Sequence, residues 1–318
     1  MARVIARHEA IQKNSLKTSK RLTVSAVSLF FISFTNFPTF APVKPLEQII
    51  SPIAAELAQF EAFFEKALHA DTEPMNGIMQ YVRNSQGKRL RPILVLLSAK
   101  LLGEVNEKTL RAATFVEMVH SATLIHDDVV DDADLRRNKA SVKAQFGNLS
   151  AVLAGDYLLA QAMLLMANDA DILKEMLRTT SAMSEGELMQ NAVGLSYHGS
   201  RIDNQNQNGC HNVTALQRQY LDIISRKTAM LMRSCCVAGA LSVNASPLQV
   251  QQMADFGLNF GILFQLRDDI LDGENVELAK ALLPECLEKT KHSLENLPHS
   301  DALEALFELT TFCSEREG

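Results

Sequence analysis

Apolar residues recur every three or four positions along most of this chain, with charged or polar residues between them. The stretch LEQIISPIAAELAQFEAFFEKAL, residues 46–68, shows the spacing clearly. Such spacing places the apolar side chains on one face of an α-helix. RPILVLLSAKLLG, residues 91–103, has a proline suited to a first helical turn and ends at a glycine, a typical helix stop.

The same periodicity predicts further helices, and no stretch sustains the period-two alternation of a strand. These helices are predicted at residues 107–131, 150–168, 170–194, 214–242, 247–272 and 276–294. The polar, asparagine-rich segment 196–212 is predicted to be a mobile surface connection. The pattern therefore predicts a single all-α domain of roughly ten helices over residues 46–318.

Residues 1–45 differ from this pattern. Several basic side chains precede the apolar run LTVSAVSLFFISF at 22–34, which has the length of a signal-peptide core and is short for a membrane span. A secretion signal or membrane anchor is one interpretation. We favour an N-terminal extension that is disordered or not native, because no cleavage motif is clear and the remaining sequence is typical of a cytosolic protein.

Composition limits the function classes. The net charge of −6 argues against a general nucleic-acid binder, which needs a basic surface. The five cysteines include no C-x-x-C pair, so a zinc site is not predicted. An odd number of cysteines is typical of a reduced, cytoplasmic protein.

Two aspartate clusters of the pattern D-D-x-x-D each follow an apolar helical run. The first aspartate motif comprises Asp127, Asp128 and Asp131, and the second comprises Asp268, Asp269 and Asp272. Residues four apart share a helix face, so the carboxylates of each motif project together. One such cluster is ordinarily a solvated acidic helix end. Two clusters facing each other would place six carboxylates around one cavity, where Mg²⁺ and a diphosphate could bind.

Basic residues in other segments are candidates for the diphosphate. GKRLRP, residues 87–92, places Lys88, Arg89 and Arg91 at a helix start, where positive charge opposes the helix dipole unless an anion binds. Arg136 and Arg137 follow the first aspartate motif directly.

Four further side chains are candidates. His120 lies about two turns before the first aspartate motif and could donate a hydrogen bond to a diphosphate. His126 could orient an aspartate, a hypothesis that we rate lower. RKTAML, residues 226–231, adds Lys227 and Thr228 as phosphate contacts.

Taken in order along the chain, these segments resemble the trans-isoprenyl diphosphate synthases, also called polyprenyl synthetases. The matching segments are GKRLRP, HSATLIHDDVVDDADLRR, AVLAGDYLLAQA, EGELMQ, RKTAML and FGILFQLRDDILD. The resemblance implies the isoprenoid synthase helical bundle around a central substrate cavity, usually as a homodimer. It implies a Mg²⁺-dependent prenyltransferase that condenses isopentenyl diphosphate with an allylic diphosphate, using roughly two to three Mg²⁺ ions.

The resemblance also implies roles for individual residues. All six motif aspartates would be metal ligands, and the catalytic set would comprise Asp127, Asp128, Asp131, Lys227, Asp268 and Asp269. The allylic diphosphate would be bound by Arg136, Lys227, Thr228 and Gln265. Isopentenyl diphosphate would be bound by Lys88, Arg91, His120 and Arg137. It further implies no stable membrane span, with transient membrane contact for release of a lipid product.

Product length depends in this family on the residues four and five positions before the first aspartate motif, which form a floor below the metal site. Here they are Thr123 and Ala122, both small, so a long-chain all-trans product is expected. A floor supplied by another helix, near Tyr157 or Met163, would overturn this expectation.

One departure from the family pattern concerns the segment after the second aspartate motif. The family usually has a lysine there in a G-K-x-x-G-like loop, followed by further helices. This chain passes directly through LDGENVELAKALLPECLEKTKHSLENLP to its last helix. A catalytically weak partner subunit of a heteromeric synthase therefore stays an alternative. Because product length is not fixed by the sequence, a short-chain farnesyl or geranylgeranyl diphosphate synthase is another. A terpene cyclase is less favoured, because its second metal site normally has a different pattern.

The floor assignment predicts the effect of Thr123→Phe. A phenyl ring one helical turn below Asp127 would block the growing chain, so we expect a shorter product at a similar initial rate. Chromatography of the products from variant and wild type would measure this. An unchanged product length would contradict the assignment.

Overall fold

The structure, a computed structural model, describes residues 44–84, 87–193 and 209–316. The apolar run 22–34 lies outside the described residues, as does most of the asparagine-rich segment 196–212. The division between an N-terminal extension and the helical domain therefore stays a prediction.

Helices account for most of the described residues, as the apolar periodicity predicts. They are α1 (Leu46–Ile49), α2 (Ala54–Ala67), α3 (Glu73–Arg83), α4 (Leu90–Leu102), α5 (Glu107–Val130), α6 (Val142–Phe146), α7 (Asn148–Leu165), α8 (Ala170–Val193), α9 (Gly209–Ile224), α10 (Met230–Ser242), α11 (Pro247–Asp272), α12 (Val276–His292) and α13 (Asp301–Glu315). A 3₁₀ turn, Ser51–Ile53, precedes α2, and a π-helical turn, Ser225–Ala229, joins α9 to α10.

The strands are minimal. A two-residue hairpin pairs β1 (Leu135–Arg136) with β2 (Lys139–Ala140) in antiparallel register. Its turn residues Arg137 and Asn138 both have positive φ, which is the geometry that a two-residue hairpin turn of type I′ requires. Periodicity did not predict this hairpin, because two residues are too few to show a strand pattern.

The centre of the bundle is formed by α4 and α10, both buried almost all round. In α10 nearly every residue is inaccessible, including Cys235 and Cys236, which are free thiols packed as small apolar groups. Helices α4, α5, α8 and α11 pack around α10. A helix that is apolar on all faces is stable only in such a central position.

The two long helices that carry the aspartate motifs begin in the same way. Asn106 with Thr109 forms a capping box at the start of α5, and Ser246 with Gln249 forms one at the start of α11. These caps satisfy backbone N–H groups that lack a partner inside the helix. Both helices carry their aspartates at the opposite, C-terminal end.

The link after the second aspartate motif is short. Helix α11 ends at Gly273, whose positive φ of 79° suits glycine at a helix end, and α12 begins at Val276. Helix α12 then packs directly on α11. The described chain thus passes from the motif to its last two helices without an intervening loop.

Helix α7 keeps an apolar face in contact with solvent. Leu149 is 75% exposed, Leu153 51% and Leu164 67%. By length and composition alone this helix could cross a membrane, a test that helices of water-soluble proteins also pass. Its other face packs against α5.

Candidate functional site

The first aspartate motif lies at the C-terminal end of α5, where its carboxylates have different surroundings. Asp128 is buried, and its Oδ1 accepts a hydrogen bond of 2.9 Å from Nε of Arg136 on β1. Asp127 is half-buried and Asp131 is exposed. Across the described part of the chain, no hydrogen bond or ion pair engages the carboxylates of Asp127 and Asp131. These two groups are therefore available to a ligand.

Lys227 and Glu187 stand beside Asp127. Nζ of Lys227, in the π turn, pairs with Oε2 of Glu187 in α8 at 2.7 Å. Burial raises the pKa of Asp127 to about 6, the charge of Glu187 adds to the rise, and Lys227 opposes it. Gly186 lets α8 lie close to the π turn, because a Cβ there would be 2.8 Å from the backbone nitrogen of Lys227. The sequence predicted Lys227 but not Glu187, whose only signal was its place in EGELMQ.

The second aspartate motif lies at the C-terminal end of α11, and its buried member Asp269 accepts hydrogen bonds at both oxygens. The Tyr220 hydroxyl donates to Oδ2 at 2.5 Å, and Nε2 of Gln265 donates to Oδ1 at 2.7 Å. The Thr228 hydroxyl in turn donates to Oε1 of Gln265 at 2.8 Å. Thr228 and Gln265 are thereby joined to the second motif. Tyr220 was not predicted from the sequence.

The π turn and α11 come together closely enough for these bonds because α11 has a glycine at the contact. A Cβ on Gly261 would lie 2.5 Å from Cα of Ala229, too close for any larger residue without a shift. Gln265 lies one helical turn beyond Gly261. The glycine therefore sets the approach that brings Gln265 to Thr228.

The other members of the second motif differ in exposure. Asp268 is partly buried and pairs with the guanidinium of Arg316, just past α13, whereas Asp272 is exposed. Burial raises the pKa of Asp268, Arg316 opposes that rise, and Asp272 and Asp269 add to it. Arg316 was missed at the sequence level, because the segment SEREG has no pattern that marks a site.

Basic side chains from several elements line one cavity of about 580 Å³. They are Lys88, Arg89, Arg91, His120, Arg137 and Arg316. Nε of Arg91 is buried without a hydrogen-bond partner among the described residues. Leaving a buried N–H group unpaired is unfavourable, and an anion in the cavity would supply the acceptor. The four residues predicted to bind isopentenyl diphosphate are thus brought together.

Arg89, the middle basic residue of GKRLRP, has internal partners. Its guanidinium bonds to Glu61 at 2.9 Å and to Glu117 at 2.7 Å, and it lies over the ring of Phe64. The two glutamates therefore neutralise part of the positive charge at the start of α4. For Arg89 the conflict with the helix dipole is relieved by protein groups instead of by an added anion.

The two aspartate motifs do not form a ready-made metal cage. In the described ranges, no three acidic, histidine or cysteine side chains lie close enough to hold a metal ion. Three of the six motif carboxylates pair with an arginine or a tyrosine. The assignment of all six as metal ligands stays a prediction.

His126 is not directed at an aspartate of the first motif. Its Nε2 lies 3.2 Å from the carbonyl oxygen of Val152 and 3.5 Å from Oδ1 of Asp156, both on α7. Sequence neighbours on a helix point in different directions, so proximity to Asp127 along the chain does not bring the imidazole to its carboxylate. His126 instead joins α5 to α7.

The residues considered for the product floor lie on two helices. Ala122 is completely buried, and the half-buried Thr123 donates its hydroxyl hydrogen bond to the His120 carbonyl at 3.0 Å. Tyr157 and Met163 are also half-buried. None of these contacts tests product length, so the floor stays a prediction.

Comparisons with known proteins agree on one family. The family model described as polyprenyl synthetase matches residues 72–281. Octaprenyl diphosphate synthase of Escherichia coli (strain K12) is 31% identical over 227 residues, which cover 71% of this chain and 66% of that protein. Heptaprenyl diphosphate synthase component 2 of Geobacillus stearothermophilus is 33% identical over 234 residues, covering 73% and 68%. The match to the octaprenyl relative thus spans just under two thirds of its length.

A solved structure shows the same fold. It is a polyprenyl synthase from Caulobacter crescentus CB15 complexed with calcium and isoprenyl diphosphate. It superposes with a TM-score of 0.74 at 25% identity and covers 88% of this chain and 100% of that chain. The predicted all-α isoprenoid synthase bundle is confirmed.

The surroundings of His120 give a pH-dependent prediction. Burial, and then the charges of Arg91 and Arg137, lower the pKa of His120 well below its usual value. The unfolded chain gains a proton near pH 6.5 that the folded protein excludes, so His120 reduces the free energy of unfolding below that pH. We expect the melting temperature of His120→Gln to fall less than that of wild type between about pH 7.5 and about pH 5. Equal losses in a thermal unfolding assay would contradict the buried, neutral imidazole.

Proposed function

The chain belongs to the polyprenyl synthetase family, and from that membership we propose that it is a trans-polyprenyl diphosphate synthase. It would condense isopentenyl diphosphate with an allylic diphosphate to give a long-chain, all-trans product. One observation carries the proposal: each aspartate motif has a carboxylate paired with an arginine at a cavity that His120 and Arg137 also line. The pairs are Asp128 with Arg136 and Asp268 with Arg316. Carboxylates for a metal and cations for diphosphate are thus neighbours.

The donor set fits magnesium. Mg²⁺ usually takes one or two protein carboxylates together with water and substrate phosphate oxygens. Asp127 on α5, Asp131 just past its end, and Asp272 on α11 supply accessible carboxylates for that purpose. The raised pKa of Asp127, caused by burial and then by nearby negative charge, marks a carboxylate whose ionised form a cation would stabilise. When bound, Mg²⁺ would stabilise the charge of the departing diphosphate.

The allylic diphosphate would be held by the α5 and π-turn side of the site. Lys227 is held beside Asp127 by Glu187, and Thr228 is held toward the second motif by Gln265. π-helical turns are frequently found at functional sites, because the extra residue redirects side chains. Arg136 would complete this group from the hairpin.

Isopentenyl diphosphate would occupy the basic cavity. Arg91 and Arg137 offer guanidinium groups that can grip phosphate oxygens in pairs, and Lys88 adds a compact charge. His120, kept neutral by burial and by the adjacent arginines, would donate one hydrogen bond. Holding both substrates in one orientation lowers the entropic part of the barrier, and no nucleophilic side chain is required.

A catalytically weak subunit of a heteromeric synthase is the second candidate. The Geobacillus relative is component 2 of a heptaprenyl diphosphate synthase, so a related chain can be one part of a synthase. Purified protein incubated alone with Mg²⁺, farnesyl diphosphate and labelled isopentenyl diphosphate would distinguish the two. An extended product supports the first candidate, and its absence from well-folded protein supports the second.

Asp127→Ala tests the metal assignment in the same assay. We expect turnover to fall by more than about a hundredfold, because an accessible carboxylate ligand is lost. Circular dichroism should show an unchanged helical fold. Asp132→Ala is the matched control, since this exposed aspartate lies outside the D-D-x-x-D spacing, and its activity should change by less than about threefold. Near-normal activity of Asp127→Ala would contradict the assignment.

We propose in addition that the protein is a homodimer joined through α7. The exposed apolar face of this helix, with Leu149, Leu153 and Leu164, is of the kind that a second copy covers in a symmetric interface. Such contact removes apolar side chains from water without requiring a membrane. A cytoplasmic location, with transient membrane contact for product release, belongs to the same proposal.

Leu153→Glu tests the dimer. A charge at the centre of the α7 face should convert dimer to monomer, as measured by size-exclusion chromatography with light scattering, because burying an unpaired carboxylate is strongly unfavourable. Leu248→Glu, at a leucine that is 71% exposed on α11, is the control and should leave the mass unchanged. A wild-type monomer, or a dimer that persists in Leu153→Glu, would rule out this interface.

A further inference from the structure

Arg316 reaches the second aspartate motif from the last described turn of the chain. Its guanidinium pairs with Asp268 and lies over the ring of Phe264, 4.2 Å from the ring centroid. Its backbone carbonyl accepts two hydrogen bonds from Arg267, of 2.9 Å and 2.6 Å. The backbone at residue 316 is therefore fixed by Arg267 independently of what the Arg316 side chain contacts.

The guanidinium of Arg316 is incompletely satisfied. Its Nε is buried and has no hydrogen-bond partner among the described residues. The same guanidinium lines the basic cavity that also contains Arg91, whose Nε is likewise buried and unpaired. Two arginines that line one cavity therefore each keep an unpaired N–H group, so their guanidinium groups have capacity for an anionic ligand that the protein itself does not supply.

The partner of Arg316 is accessible. The Asp268 side chain is 32% exposed, whereas Asp128, paired with Arg136 at the first motif, is only 4% exposed. A divalent cation approaching from solvent can therefore reach Asp268 more readily than Asp128. A metal ion and a guanidinium at the same carboxylate would repel each other, because both are positive and within a few ångströms.

We propose that Arg316 is an exchangeable counter-ion of the second aspartate motif: a divalent cation displaces it from Asp268, and the released guanidinium turns to the diphosphate in the adjoining cavity. This inference rests on the proposed function. Arg316 would be a positioning residue that couples metal binding to anion binding. Thermodynamic reciprocity then requires that the anion also strengthens metal binding, because it stabilises the displaced guanidinium.

The short link between the second motif and α12 agrees with this role. With only Gly273 to Asn275 between α11 and α12, the last two helices stay packed close to the motif. Helix α13 packs against α11 and thereby delivers Arg316 to Asp268. The cation that pairs with the second motif is therefore Arg316, the last of the described residues.

Binding of Mn²⁺ alone, followed by electron paramagnetic resonance of the free ion, tests the exchange on the full chain. Arg316→Gln removes the competing charge while Arg267 still holds the backbone carbonyl at 316. We expect Mn²⁺ to bind this variant about tenfold more tightly, the effect of removing a charge-assisted hydrogen bond that competes for the carboxylate. Lys88→Gln removes an equal charge from the same cavity, and its affinity should change by less than about twofold because no ion pair joins Lys88 to Asp268.

Equal Mn²⁺ affinities of wild type and Arg316→Gln, including no measurable binding by either, would overturn the proposal. So would an equal gain in Lys88→Gln. Failure of the proposed function is distinct, because it would appear as absent condensation by wild type.

Discussion

Repulsion among the carboxylates at the ends of α5 and α11 is the constraint on which the site depends. Burial makes this repulsion stronger. Burial first, and then the neighbouring negative charges, raise the pKa of Asp127 and of Asp268. Two arginines of the protein offset part of this negative charge, Arg136 at the first motif and Arg316 at the second. A site that is neutralised from within can be built into a folded protein, and Arg316 is the counter-ion that we propose a metal ion displaces.

The scaffold makes that arrangement stable. Helices α4 and α10 form an apolar centre, and the surrounding helices α5, α8 and α11 are held by packing on it. Functional side chains are then placed at helix ends or in the π turn, where the backbone is fixed but the side chains are accessible. Gly186 and Gly261 have a specific part, because each allows a backbone approach that places Lys227 or Gln265 at the site. Rigid elements with small residues at their contacts give the precision that diphosphate binding needs.

The sequence was informative wherever a pattern repeats or where residue types at fixed spacing are unusual. Apolar residues every three or four positions predicted the helices. The helix predicted from residue 214, however, begins at Gly209 and is interrupted by the π turn. The paired D-D-x-x-D motifs and GKRLRP indicated the chemistry, because such charge density has few structural uses. Predictions that relied on a residue being next to a motif in the sequence were less accurate. His126 faces α7, and Arg89 is neutralised by two glutamates.

The sequence by itself determined the helical fold, the two carboxylate clusters and the basic residues that accompany them. Only the tertiary structure decided their partners: Glu187 for Lys227, Tyr220 for Asp269 and Arg316 for Asp268. Each pair joins residues that are 40 to 49 positions apart, as in 227 against 187 and 269 against 220. Local spacing fixes which side chains share a helix face, but the packing of one helix on another fixes which charges meet. That packing depends on the apolar contacts of the whole core, which no short motif contains.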